Sequence, residues 1–177
     1  MDTKLKADIA ESAVITALLK RGFKVLKPIG DRLPYDLALD VNGKLLKIQV
    51  KSAWYYKGSY TVDSRRTKTN RRRMLRSYYD DKDFDFAIIY IDRLEVFYVM
   101  PISVFSAFKS GISLVETEKR QRKPQSAIYK ERWDLLSARA VQLETAERKP
   151  VKLGEALTGN TEPSPELVFE TQGRCRD

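Results

Sequence analysis

Histidine is absent from the sequence, which removes the usual general base and the commonest transition-metal ligand. The single cysteine, Cys175, can build neither an intrachain disulfide nor a cysteine-rich zinc site. Long apolar runs are missing too. The longest, Phe86-Ala87-Ile88-Ile89-Tyr90-Ile91, falls far short of the roughly 20 residues that cross a bilayer. Asp2 and Asp8 put acid where a signal peptide would be apolar, so a soluble, cytoplasmic protein with no membrane partner is expected. Any catalysis must run on carboxylates, amides, lysine or hard cations, and no small-molecule organic cofactor is expected.

Positive charge is plentiful: 33 basic against 24 acidic side chains give a net +9. The excess is clustered. Arg65, Arg66, Lys68, Arg71, Arg72, Arg73 and Arg76 follow one another without an intervening acid, and Lys119, Arg120, Arg122 and Lys123 form a second group. Each phosphate neutralised by such a cluster releases condensed counterions, giving strong, salt-sensitive affinity for nucleic acid. One cluster alone reads equally well as a solvated loop; two in so short a chain favour a polyanionic partner.

A chain of 177 residues holds one domain with a real core. Leu5, Ile9, Ala13, Val14, Ala17 and Leu18 recur at helical spacing and predict a helix over Leu5–Leu19, which Gly22 ends. Strands are expected over Phe23–Leu26, Tyr35–Val41 and Leu45–Lys51. Asn42-Gly43, both tolerant of positive φ, joins the last two as a tight hairpin. Residues 53–83 mix Trp54, Tyr55, Tyr56, Tyr60, Tyr78 and Tyr79 with the first basic cluster and show no clean period. They read as one short strand near Tyr60–Val62 within a long exposed excursion, whose aromatics either stack on nucleic acid or pack beneath it. Phe86–Ile91 has the composition of a central strand covered on both faces, followed by a turn at Asp92-Arg93 and a strand over Glu95–Met100. Pro101 suits the start of a helix running to Phe108 and closed by Gly111. Tyr129–Leu136 predicts a short helix that packs Trp133 and Leu136 on the core. Past Ser137 only Phe169 is aromatic, so 1–137 is expected to be the folded domain and 138–177 a mobile or loosely docked extension.

Side chains alternate across a hairpin, so Gln49 and Lys51 point the same way, with Asp36 near the start of the neighbouring strand. An acid, an amide and an ammonium then converge. Hydrolysis of a phosphodiester needs a hard cation on oxygen ligands, an activated water and something to offset charge on the phosphate. Asp36, the Gln49 side-chain carbonyl and the Val50 backbone carbonyl can hold the cation. Lys51 can orient or deprotonate the water, or stabilise the pentavalent phosphorus. Asp40 shares a strand face with Asp36 but lies beside the turn, farther from this point.

Pro34-Tyr35-Asp36, a twelve-residue gap and Gln49-Val50-Lys51, preceded by a helix carrying Glu11 and by Gly22-Phe23, resemble the core of the PD-(D/E)XK nucleases. Within that superfamily the chain is most similar to the homing endonucleases of bacterial group I introns, which carry glutamine at the central position. Tyr129-Lys130-Glu131-Arg132-Trp133-Asp134-Leu135-Leu136 resembles their closing motif. The resemblance implies an α/β fold, a restriction-endonuclease-like core with a mixed central β-sheet flanked by helices, over about residues 5–136. It implies a Mg²⁺-dependent, site-specific endonuclease for double-stranded DNA, in which Mn²⁺ substitutes and Glu11 supports the cation. Cutting two strands calls for two centres, hence a homodimer or homotetramer. Two departures stand out: Tyr35 separates Pro34 from Asp36, and Gln49 replaces the second acid, removing a negative charge that Glu11 would restore. A Holliday-junction resolvase shares the same core, and a DNA-binding module without catalysis is the reading that Gln49 favours.

Overall fold

The computed structural model describes residues 2–30, 32–70, 73–109, 111–114, 116 and 124–147. The chain opens with α1 (Thr3–Lys20), whose Lys4 amide donates to the Asp2 side chain at its start. Gly22, at φ 81°, lets the chain turn away while Phe23 N–H donates to the Leu18 carbonyl at 3.2 Å. The helix buries Val14, Ala17 and Leu18 of the expected stripe, with Ala10 beside them, while Ile9 and Ala13 are partly buried and Leu5 is exposed. Among the described residues no helix is long and apolar enough to cross a membrane.

Five strands form the main sheet: β1 (Lys24–Leu26), β2 (Leu37–Val41), β3 (Lys44–Ser52), β8 (Phe86–Ile91) and β9 (Val96–Pro101), in the order β1-β2-β3-β8-β9. Only β3 and β8 run parallel, so the sheet is mixed, as expected. The β2–β3 turn places Asn42 at φ 51° and Gly43 at φ 85°, the two positive angles of a type I′ hairpin. All six residues of β8 are buried, and their alternation divides the interior. Phe86, Ile88 and Tyr90 pack with α1, Leu37, Leu39, Ile48 and Val50, together with Trp133 and Leu136. Ala87, Ile89 and Ile91 face a second core that includes Val62, Tyr79, Phe84, Phe105, Ile112 and Leu114.

Within residues 53–83 the short strand expected near Tyr60–Val62 is present, but the remainder departs from the expected excursion. Ala53 N–H donates to the Tyr90 carbonyl at 2.9 Å, and beyond it lie β4 (Trp54–Tyr56), β5 (Ser59–Asp63), β6 (Arg66–Asn70) and β7 (Arg73–Ser77). A turn with Lys57 at φ 47° and Gly58 at φ 83° joins β4 to β5, while β6 and β7 pair as a separate two-stranded ribbon. These strands are short, with β4 wholly aromatic and β6 wholly polar, so no alternation marks them, and β5 takes its other partner from far along the chain. That partner, β10 (Gly111–Leu114), begins where a helix end is expected. The helix after Pro101 is a single turn, α2 (Ile102–Phe105), because Pro101 itself is extended as the last residue of β9 and Phe105 is drawn into the second core.

The closing motif differs as well. Gln125–Tyr129 forms a 3-10 turn, the chain breaks, and α3 (Asp134–Glu147) continues through Ser137 with Ala140 and Leu143 packed on the core. Glu131, at φ 52°, causes the break. Its carboxylate accepts from Phe97 N–H and from the Trp133 indole, each at 2.7 Å, while the Arg21 guanidinium lies 4.1 Å over the Trp133 ring. Trp133 and Leu136 are buried, as their apolar character predicts.

Candidate active site

The β2–β3 ladder extends one residue past β2, because Asp36 N–H donates to the Ile48 carbonyl at 2.9 Å. Asp36 thus stands opposite Gln49. Ile48 and Val50 enter the core beneath α1, so Gln49 and Lys51 occupy the other side of the strand. Asp36 Oδ2 accepts a hydrogen bond from Val50 N–H at 2.7 Å and another from Gln49 Nε2. The same amide nitrogen donates to the Val50 carbonyl at 3.1 Å. Gln49 is only 8 % exposed, so this arrangement is held by burial as well as by hydrogen bonds.

Lys51 Nζ donates to the Tyr79 hydroxyl at 3.0 Å and to the Arg65 carbonyl at 3.2 Å, and lies 4.9 Å from the centre of the Tyr79 ring. Burial lowers its pKa to about 8; Asp36 and Asp63 oppose that shift, and Arg66 reinforces it. Burial likewise raises the Asp36 carboxyl, against the Val50 N–H and Lys51, which favour its charged form. Glu11 adds to the rise. Tyr79 is pushed up, first by burial and then by the charge of Asp36, so it stays a protonated hydroxyl.

The Glu11 carboxylate forms an ion pair with the Lys27 ammonium, and hydrogen bonding to Glu11 is the main reason the Lys27 pKa is raised. The charges of both residues act on Asp36, which sets them at the rim of the same site. Asp40 is elsewhere: its Oδ1 accepts from Gly43 N–H at 2.8 Å and braces the hairpin turn. Among the described residues no three aspartate, glutamate, cysteine or histidine side chains gather as a metal site. The hydrogen bonds place the Gln49 amide nitrogen between Asp36 Oδ2 and the Val50 carbonyl.

The sequence profile of the PD-(D/E)XK endonucleases matches residues 1–136. The chain belongs to the PD-(D/E)XK endonuclease family. A solved structure described as a bacterial homing endonuclease, I-Ssp6803I, is 53% identical to this endonuclease and superposes with a TM-score of 0.73. The match covers 85% of this chain and 100% of that one. No curated protein matches.

In the endonuclease the first basic cluster straddles the β6–β7 ribbon. Arg65 precedes it and is tied to Asp63 through a two-pronged ion pair, Nε to Oδ1 at 2.9 Å and Nη2 to Oδ2 at 3.0 Å. Arg66 opens β6 and reaches the Leu33 carbonyl at 3.2 Å. Arg76 is exposed on β7. Lys68 and Arg73 belong to the paired strands, whereas Arg71, Arg72, Lys119, Arg120, Arg122 and Lys123 lie outside the described residues. Trp54, Tyr55, Tyr56 and Tyr78 are exposed, but Tyr79 is buried against Phe84 and Phe105. Sequence reasoning missed Lys27, which no spacing marks, and left the part of Tyr79 open. The Asp63-Arg65 pair, two residues apart, was a local signal that could have been read.

Proposed function

We propose that this endonuclease cuts both strands of duplex DNA at a selected site by Mg²⁺-assisted hydrolysis, with Mn²⁺ able to substitute, as a homodimer or homotetramer in the cytoplasm. The observation that carries the reading is the convergence of Asp36, Gln49 and Lys51 on one side of the β2–β3 hairpin. The residues present fit a hard cation. Asp36 Oδ2 and the Val50 carbonyl already share one electropositive partner, the Gln49 amide nitrogen, so two oxygens are close enough to share a cation. A half turn of that amide would present its oxygen as a third ligand, and Glu11 would support the site from α1. Bound Mg²⁺ supplies positive charge for the phosphate oxygens and a more acidic bound water.

Lys51 contributes directly. Two of its three N–H donors go to Tyr79 and Arg65, leaving one to orient the attacking water or to offset charge on the phosphate. Arg65, Arg66, Lys68, Arg71, Arg72, Arg73 and Arg76, with Lys119, Arg120, Arg122 and Lys123, would grip the duplex, and arginines that reach guanine edges would select the sequence. A symmetric assembly supplies one centre for each strand. The test incubates purified protein with genomic and plasmid DNA, with Mg²⁺ and with chelator. Discrete fragments that vanish with chelator are expected. No cleavage would leave an inactive binding module, and cutting confined to branched DNA of any sequence would make the protein a junction resolvase.

A further inference from the structure

Lys51 carries its charge at the end of a flexible four-carbon stem, so a fixed backbone position does not by itself fix the ammonium. Both groups that hold it belong to the roots of the basic ribbon. The Arg65 carbonyl directly precedes β6, and the Tyr79 hydroxyl lies two residues beyond the end of β7. Each root is itself anchored. The Asp63 carboxylate binds the Arg65 guanidinium and also accepts Arg65 N–H at 2.9 Å, which sets the direction of the chain there. Tyr79 is 8 % exposed, and its ring packs edge-on against Phe84 in the second core with centroids 4.9 Å apart.

We propose that Tyr79 is a positioning residue for Lys51, and that the β6–β7 roots couple seating of the ribbon on a nucleic-acid duplex to alignment of the active-site ammonium. This rests on the function proposed above. Hydrogen bonds of 3.0 and 3.2 Å are sensitive to small displacements, so a slight tilt of the ribbon changes where the third N–H of Lys51 points. The device favours a correct target: only a duplex that seats the ribbon fully brings Lys51 into line.

Tyr79→Phe removes the hydroxyl and keeps the ring in its aromatic packing. The single-turnover cleavage rate at saturating DNA is expected to fall on the order of tenfold to a hundredfold, while Kd for DNA in chelator is unchanged and the Tm falls by only a few degrees, leaving the protein folded at the assay temperature. Asp63→Asn, which loosens the other root, is expected to lower the rate in the same way. A wild-type rate in Tyr79→Phe, or a loss seen wholly in Kd, overturns the proposal. The ¹⁵Nζ resonance of Lys51 supplies a readout without turnover: DNA should shift it in the wild-type protein and less in Tyr79→Phe, and an equal shift in both overturns the coupling. Wild type and Lys51→Ala, assayed alongside, separate the two readings. Cleavage that depends on Lys51 but not on Tyr79 sinks only the positioning role, whereas absence of all cleavage sinks the proposed function and leaves the resonance to decide the positioning.

Discussion

On the side of the central sheet that faces α1, Leu37, Ile48, Val50 and Ile88 pack into an unbroken apolar layer; on the other, the same strands carry Asp36, Gln49 and Lys51 before Ala87 and Ile89 resume the second core. The strands do not change, only the parity of the residue. What the first side does by removing surface from water, the second can do only by hydrogen-bonding every buried polar group, since an unpartnered one is costly. Among the described residues no buried side-chain nitrogen or oxygen lacks a partner. The polar side is therefore held by specific partners, Asp36 by Val50 N–H and the Gln49 amide and Lys51 by Tyr79 and the Arg65 carbonyl, next to an apolar core.

Substitutions on the two sides should fail in different ways. Lys51→Ala should reduce Mg²⁺-dependent cleavage by on the order of 10³-fold with duplex affinity nearly intact, read by plasmid nicking and by gel shift in chelator. Persistent nicking would remove Lys51 from the chemistry. Ile88→Ala, on the apolar side, should cost about 2–5 kcal/mol in a urea titration, with any loss of activity following from the loss of fold.

A third prediction concerns pH. Lys51 has a folded pKa of about 8 against an ordinary value of 10.5, so the unfolded chain binds more protons between those values and stability rises with pH across the window. The protein should gain about 2 kcal/mol between about pH 7.5 and about pH 9.5, a gain that Lys51→Met should abolish. Equal pH slopes in the two proteins would show that the ammonium is not buried at a cost. The smallest effect is structural: Glu131→Gln keeps one acceptor for Phe97 N–H or the Trp133 indole, and should lower stability by about 1 kcal/mol without changing the cleavage rate per folded molecule.

The same contrast explains what could be read in advance. The apolar stripe of α1, the fully buried β8 and the Asn42-Gly43 turn are local patterns, and the register they impose was enough to bring Asp36 to Gln49 and Lys51. The β4–β5 hairpin was hidden because Lys57 stands at positive φ where asparagine is the usual signal. β10 escaped because its pairing with β5 joins residues far apart in the chain. Around the site, Tyr79 and Lys27 come from other elements, so neither lies at a spacing that points to Lys51 or Glu11. The Glu131 break hid the true start of α3 for a different reason: a carboxylate that serves two donors and a cation overrides helix propensity in its neighbours.

The two-residue bend between β2 and β3 sets a phase for everything downstream of it. Lengthening or shortening that bend by one position would exchange the two sides of β3 relative to β2, sending the amide and the ammonium in among leucines while Ile48 and Val50 took their place. Point changes at Asn42 or Gly43 would be mild by comparison. An insertion or deletion at the Asn42-Gly43 bend should therefore cost far more cleavage activity than a substitution at either residue.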